Sequence, residues 1–266
     1  MKPSPLRYLI LIMLLSLMLP MNAQAANVLA GADLFQTDPN TTFQDFAGFP
    51  IPADFFSPGS DPFVDLVRLQ GVPLGSSSIC SNDDLNLADT IVLRLAEAVL
   101  PDENNSSDII QVEIVELQLV SVSPIVVTEN GGQNPTLWDI EVTLSDVAFQ
   151  TAGTMTVRHE SPAGGTFDST VPVVPKFTFT QVGNPANFRV FDGGNEGLTI
   201  DFKTSDVPWN HHVPPGNSCT SNFCVNPDEV TVETALFAAH GVISICPEDP
   251  TPTDESTWGE VKSIYR

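Results

Sequence analysis

The chain has 266 residues, with 33 acidic and 10 basic side chains and a formal net charge of −23 at pH 7. This charge argues against nucleic-acid binding, which requires cations that neutralise phosphates, and against docking on anionic lipid. It favours a well-solvated protein whose partners are basic or neutral.

Residues 1–25 have the features of a secretory signal peptide. Lys2 and Arg7 give a positive start, residues 8–18 are an almost unbroken apolar run, and alanine occupies positions 23 and 25. The run is shorter than the roughly 20 residues of a membrane span, and the small residues indicate a cleavage site. We expect cleavage near Ala25 and no transmembrane segment in the mature chain. The mature chain should then be secreted, periplasmic or on the cell surface.

The segment between Phe35 and Phe63, which we call the strap, is rich in phenylalanine and proline. It holds seven of the 16 phenylalanines of the chain and five prolines. Proline removes a backbone donor, whereas phenylalanine supplies a large apolar surface. We therefore predict that the strap wraps a β-rich body and inserts rings into its core. The rings of Phe46, Phe49, Phe55 and Phe56 should then be mostly buried.

From residue 64 onward, about ten to twelve short alternating segments are separated by turn-forming residues, which is typical of an all-β fold. No segment has a convincing helical pattern within residues 26–246, the predicted body. The expected architecture is an antiparallel β-sandwich of the immunoglobulin-like or jelly-roll-like kind. It forms either one large sandwich or two small tandem sandwiches that part near residues 183–185.

Three stretches carry the clearest local signals. Residues 109–127 alternate with a change of phase near Val115, which predicts a β-bulge or a crossing between sheets. Residues 129–135 have a turn composition and residues 137–144 alternate cleanly, so a β-hairpin is expected there. Residues 90–100 fit a strand or a helix, and their β-branched start favours a strand.

Four cysteines follow the predicted signal peptide. An even number in an exported chain predicts two disulfides, and four cysteines permit three pairings. Cys219 and Cys224 are close enough in sequence to close a small loop, which would leave Cys80 with Cys246. Zinc binding and redox chemistry have less support, because two C-x-x-C pairs are absent from the sequence.

The end of the chain differs from the body. Residues 247–256 contain three prolines and four acidic residues, which predicts a stiff, solvated linker. Residues 257–266 read TWGEVKSIYR and begin with capping-box spacing, so Trp258, Val261 and Tyr265 would share one helical face. We interpret this short helical tail as a sorting or anchoring element. A tail that docks on the body and a frayed end are the alternatives.

Calcium is the best-supported metal, because hard cations prefer clustered oxygen ligands. The densest group is Asp83, Asp84, Asn86 and Asp89, although it lacks the glycine of an EF-hand loop. Asx turns and surface carboxylates explain such groups equally well. A second group of oxygen-bearing side chains lies in and after the strap: Asp54, Ser60, Asp61 and Asp65.

Catalytic signals are weak. The chain has no G-x-S-x-G elbow and no S-x-x-K motif, and His211, His212 and His240 are best explained as loop-surface residues. A carboxylate pair for glycoside hydrolysis stays an alternative because acidic residues are abundant. Trp138 and Trp209 would suit a sugar-stacking platform, but core packing is the simpler interpretation.

Two stretches resemble a group of secreted bacterial β-rich proteins of unknown activity. They are the strap pattern FxGxPIPxxFFxPGSDPF and the run LQLVSVSPIVV, followed by GGQNPTLWDIEVTLS. The final TWGEVKSIYR is similar to short C-terminal segments of some exported bacterial proteins. The resemblance implies a bacterial, exported setting and no particular activity.

Three functions fit these observations. The leading one is an exported, non-catalytic protein with a structural or binding role and a cell-surface or sorting partner. The others are a secreted hydrolase with a carboxylate or metal site, and a calcium-stabilised module that binds carbohydrate or a surface. Calcium is the single cofactor suggested, and the weak catalytic signals favour a protein that is not an enzyme.

Overall fold

The computed structural model describes residues 27–37, 42–77, 88–101, 105–161, 163–210, 224–225 and 239–245. This part of the chain contains fifteen strands and one short helix, α1, at Gly193–Glu196. The predicted all-β class is therefore confirmed. The strands are β1 Gly31–Thr37, β2 Phe43–Asp45, β3 Leu66–Gly71, β4 Thr90–Arg94, β5 Ser106–Leu117, β6 Leu119–Ser121, β7 Ile125–Glu129, β8 Gln133–Leu144, β9 Gly153–Ser161, β10 Gly164–Val173, β11 Pro175–Gln181, β12 Phe188–Asp192, β13 Ile200–Asn210, β14 Cys224–Val225 and β15 Ala239–Ile245.

The strands form two antiparallel sheets. The eight-stranded sheet has the order β14-β13-β10-β9-β5-β4-β1-β15. The seven-stranded sheet has the order β12-β11-β8-β6-β3-β2, and β7 also pairs with β8. One cluster of buried side chains draws members from both sheets. The two sheets therefore share a core.

Residues 183–185, where a division into two sandwiches was considered, lie in the turn between β11 and β12. These two strands pair with each other in register from Lys176 with Asp192 to Thr180 with Phe188. Strands from both sides of this turn occur in each sheet, because β10 also pairs with β13. The turn thus joins neighbours within one sheet.

The predicted irregularity near Val115 is present. In the β4–β5 pair, Ile91 lies opposite Glu116 and Val92 lies opposite Ile114, so Val115 is the extra residue of a bulge. Directly afterwards the chain leaves the eight-stranded sheet and enters the seven-stranded sheet as β6. The change of phase in the sequence marks both the bulge and the crossing.

The predicted hairpin joins β7 to β8. Glu129 pairs with Gln133, and the three residues between them have positive φ angles, which asparagine and glycine tolerate best. The alternation of β8 also holds, because Trp138, Ile140 and Val142 are buried on one face.

The ambiguous segment at residues 90–100 begins with β4, so the preference for a strand is confirmed.

The sequence patterns did not predict every element of the fold. Strands begin at Gly31, earlier than the expected residue 64, and neither β10 nor α1 was predicted. β10 has few apolar residues, and it is fixed by pairing with β9 and β13 on its two sides. α1 begins after Asp192, whose carboxylate accepts a hydrogen bond from Gly194 N.

The strap covers the inner face of the seven-stranded sheet, as predicted. Phe46 and Phe56 are fully buried. The ring of Phe46 lies 5.4 Å from that of Phe177, and the ring of Phe56 lies 5.1 Å from that of Trp138. These edge-on and tilted contacts are the geometries that aromatic pairs favour.

Phe49 and Phe55 are half-buried rather than mostly buried, yet both pack against the core. Their rings lie 5.7 Å and 6.1 Å from that of Phe191 on β12. The carbonyl of Phe55 also accepts a hydrogen bond from Arg189 Nε at 3.2 Å. The strap therefore spans the sheet as far as its β12 edge.

Candidate interaction surface

The seven-stranded sheet has an outer face that no described part of the chain covers. Along β8, Trp138 and Ile140 point into the core, whereas Leu137, Asp139 and Glu141 are exposed on the opposite face. One face of this sheet is thus packed by the strap, and the other faces solvent.

An apolar row crosses this outer face close to the β7–β8 and β11–β12 turns. Val126 is paired with Leu137, and Val182 N donates a hydrogen bond to the carbonyl of Leu137 at 2.9 Å. Large apolar side chains grouped on a surface typically mark an interaction site. The row consists of five side chains that are 46–54% exposed: Val126, Leu137, Val182, Phe188 and Val190.

The same face becomes acidic along β8. Asp139 and Glu141 are exposed on it, and Glu141 also lines an open cleft of about 360 Å³. Glu116, Gln118 and Thr143 contribute polar groups to this cleft, and leucine and valine side chains line the rest. Ser77 donates a hydrogen bond to Glu116 at 2.7 Å. The cleft lies beside β6, which pairs with β8 at Val142 and Glu141.

This arrangement places carboxylates directly beside apolar side chains. The cleft combines carboxylates with aliphatic walls, and no histidine, lysine or cysteine lines it. Such a surface can hold a cationic group next to an apolar one. We call the apolar row, the exposed carboxylates of β8 and the cleft together the outer-face surface.

The fold and this surface define an all-β protein of two antiparallel sheets with an open, partly apolar and partly acidic face. Comparison of the chain with protein-family models, with curated proteins and with solved structures finds no match. The resemblance to secreted bacterial proteins stays a prediction.

Asp61, in the second predicted oxygen group, anchors the strap to the β7–β8 hairpin. Its carboxylate accepts hydrogen bonds from Gly131 N and Gly132 N, each at 2.9 Å, and from the Thr128 hydroxyl at 2.7 Å. The bonds from Gly131, Thr128 and Gly132 lower the pKa of Asp61. Asp54 accepts a separate bond from Gly59 N. Among the described residues, no group of three metal-binding side chains is assembled.

Asp89 is the one described member of the calcium group, since residues 83, 84 and 86 lie outside the described part of the chain. It is buried, and its two carboxylate oxygens accept 2.7 Å bonds from Thr37 N, the Thr37 hydroxyl and the Thr90 hydroxyl. Burial raises the pKa of Asp89, and these bonds offset the rise only in part. A Cβ at Gly71 would lie 1.6 Å from Asp89 Oδ2, so glycine is needed there.

A buried ion pair joins β1 to β4. Arg94 Nε lies 2.9 Å from Asp33 Oδ2, and both side chains are almost fully buried. Arg94 also donates to the carbonyl of Leu29, whereas Asp33 Oδ1 has no hydrogen-bond partner among the described residues. Burial raises the pKa of Asp33, and Arg94 only partly opposes that rise. The sequence patterns missed this pair because neither residue interrupts its strand.

The tryptophans do not form a sugar-stacking platform. Trp138 and Trp209 are 2% and 1% exposed. The indole of Trp209 donates to the carbonyls of Arg158 and Thr166 and stacks on buried His159 with ring centroids 5.7 Å apart. Core packing is therefore the correct interpretation of both residues.

The remaining predicted sites cannot be placed. Cys224 contributes its backbone to β14, and residues 80, 219 and 246 lie outside the described ranges, so the disulfides stay predictions. The same holds for the signal peptide, the linker, His211, His212 and the tail with Trp258, Val261 and Tyr265, and the side chain of His240 is likewise not described. Within the described residues, no helix is long and apolar enough to cross a membrane.

Proposed function

We propose that the chain is an exported, non-catalytic β-sandwich protein that acts by binding, through the outer-face surface of its seven-stranded sheet. The observation that supports this most is the row of five half-exposed apolar side chains beside the carboxylates of β8. We also propose that the two sheets of the chain have an immunoglobulin-like or jelly-roll-like topology.

The asymmetry of the seven-stranded sheet supports a binding role. Its inner face is closed by the rings of the strap, so the outer apolar row is not required to complete the core. Solvent-exposed phenylalanine and valine contribute little to the stability of the folded chain. Their grouping next to a cleft is better explained by a partner that covers them.

Binding to the surface of the producing cell tests this role. The double variant Leu137→Ser/Phe188→Ser removes the centre of the apolar row, and Ile109→Ser, on the other sheet, removes a residue that is 67% exposed. We expect the purified double variant to be retained by cell envelopes at least about tenfold less than wild type, a loss of about 1.4 kcal/mol. Ile109→Ser should behave as wild type. Equal retention of all three proteins would contradict the proposal.

We also propose that residues 257–266 are recognised by a sorting or anchoring partner. The segment follows a proline-rich acidic linker and, unlike the acidic body, has more basic than acidic residues, together with two aromatic ones. Deleting it should move the protein from the cell surface into the medium, or the reverse, without changing its thermal unfolding. Unchanged localisation would count against a sorting role.

Calcium binding by the group around Asp89 stays a second proposal, and a secreted hydrolase stays the least supported function. Clustered oxygens at residues 83–89 are the observation that favours calcium. Millimolar calcium should raise the midpoint of thermal unfolding, and a chelator should reverse the rise. An identical midpoint in both conditions would rule out a stabilising site.

A further inference from the structure

We infer that the C-terminal segment, residues 257–266, docks on the outer-face surface of its own chain. This contact goes beyond the proposed function, because it assigns an occupant to the surface before any external partner arrives. A partner that sorts or anchors the protein would then displace the tail from the face.

The surface offers both kinds of group that the tail requires. The apolar row runs from Val126 on β7 to Val190 on β12, and Asp139 and Glu141 follow it along β8. Among the described residues, neither of these carboxylates forms an ion pair. They are exposed negative charges next to exposed apolar surface.

Five of the six cations between residues 26 and 246 have partners other than the carboxylates of β8. Arg94, Arg158, Lys176 and Lys203 pair with aspartates, and Arg189 donates to carbonyl oxygens and to an asparagine. The sixth, Arg68, lies on β3, which β6 separates from β8.

The tail matches the surface in composition. Trp258, Val261 and Tyr265 have the spacing that would place them on one face of a helix, and Lys262 and Arg266 are close to them in sequence. The last two are a quarter of the eight basic residues that follow the signal peptide. A segment with an aromatic face and adjacent cations complements an apolar row with adjacent carboxylates.

The linker is long enough for this contact. The last described strand, β15, ends at Ile245 on the edge of the eight-stranded sheet. Eleven residues, 246–256, separate it from the tail and span at most about 36–40 Å when extended. Packed sheets lie about 10 Å apart. A linker of this length can therefore pass from an edge strand of one sheet to the outer side of the other.

Trp258 provides a direct test in the full mature chain. The protein has three tryptophans, and Trp138 and Trp209 are almost fully buried, so acrylamide should quench mainly Trp258 if the tail is free. Subtracting the signal of Trp258→Phe isolates its emission. With roughly nine-tenths of the tails docked, the quenching constant of Trp258 should be about tenfold below that of the peptide TWGEVKSIYR. Quenching equal to that of the peptide would overturn the inference.

Charge reversal identifies the docking face. In Asp139→Lys/Glu141→Lys, Trp258 should become as accessible as in the peptide. Glu160→Lys reverses an exposed charge on the other sheet, where the carboxylate accepts an exposed bond from Thr166, and it should leave Trp258 shielded. Shielding that survives the double reversal would place the tail elsewhere and overturn the inference. Unchanged emission from Trp138 and Trp209 shows that the variants are folded.

The concentration dependence of the shielding distinguishes docking on the same chain from binding to a second copy. Shielding that disappears on dilution, together with a dimer in sedimentation, would mean that the tail binds a second copy and would overturn docking on its own chain. The assay uses purified protein, whereas the sorting role is tested by localisation in cells. A negative result for tail docking therefore does not imply a negative result for the sorting role, and the reverse also holds.

Discussion

The two faces of the seven-stranded sheet carry alternate residues of the same strands, yet they have opposite environments. On the inner face, Phe177 and Phe179 are fully buried beneath the rings of the strap. On the outer face, Leu137, Phe188 and Val190 are about half exposed. Both faces are apolar in part, so composition alone does not separate core from surface.

The strap and the eight-stranded sheet together make this difference. The phenylalanines of the strap fill the inner side, and the carboxylate of Asp61 fixes the strap to the β7–β8 hairpin through bonds to Gly131 and Gly132. No described segment does the same for the outer side. The inner face therefore contributes to the stability of the fold, whereas the outer face stays exposed in the described part of the chain.

The largest expected effect is on the inner face. Phe56→Ala removes a fully buried ring that contacts Phe55, Trp138 and Phe179. We expect a loss of about 3–5 kcal/mol in the free energy of unfolding, because the cavity cannot fully collapse. Denaturant unfolding measures it. A loss below about 1 kcal/mol would show that the strap does not seal the core.

A smaller loss of unfolding free energy is expected for Asp89, whose buried carboxylate lies against Gly71 at the end of β3. Asp89→Ala leaves Thr37 N and two threonine hydroxyls without their acceptor. Each unsatisfied buried group costs about 1–3 kcal/mol, but relaxation limits the total, so we expect about 2–4 kcal/mol. Chemical denaturation of Asp89→Asn, which retains one acceptor oxygen, should show a smaller loss. Equal losses would indicate that hydrogen bonding is not the cause.

The strap anchor gives a pH-dependent effect. The pKa of Asp61 is lowered below its ordinary 3.8 by the bonds from Gly131, Thr128 and Gly132, so its ionised form favours the folded state. This contribution is present above pH 3.8 and is lost as the pH falls through the lowered pKa. Asp61→Asn should therefore lower the midpoint of thermal unfolding at neutral pH. The difference in midpoint between the variant and wild type should disappear in acid. An equal difference at every pH would contradict this role of Asp61.

The smallest effect should come from the outer face. Phe188→Ala and Phe191→Ala alter the same strand, but Phe188 is 54% exposed and Phe191 is 6% exposed. Phe188→Ala should change the free energy of unfolding by no more than about 0.5 kcal/mol, whereas Phe191→Ala should cost about 3 kcal/mol or more. Equal losses in parallel denaturant titrations would mean that the outer row belongs to the core.

Much of the fold could be predicted where a local pattern is strong. The alternation around Val115 located the bulge and the crossing, and the glycines at 131 and 132 located the hairpin, because a bulge and a tight turn each depend on a few adjacent residues. The burial of Phe46 and Phe56 was also predicted, since rings in a proline-rich segment need a core to pack into.

The candidate surface could not be predicted in the same way. Leu137 on β8 is far in sequence from Val182 after β11 and Phe188 on β12, and the pairing of their strands brings all three onto one face. The pair of Asp33 with Arg94 and the bonds of Asp89 to Thr37 are likewise contacts between distant segments. A pattern of apolar and polar residues carries no information about such partners.

The sequence by itself thus determined the β class, the main turns and the role of the strap, because backbone geometry and the alternation of side chains are local properties. Tertiary structure alone decided which face of the seven-stranded sheet is closed. In β8 the inward residues are apolar and the outward ones mostly polar, whereas on β12 the outward Phe188 and Val190 are as apolar as the inward Phe191. The rings of the strap cover one side, and the row from Val126 to Val190 on the other side stays exposed among the described residues.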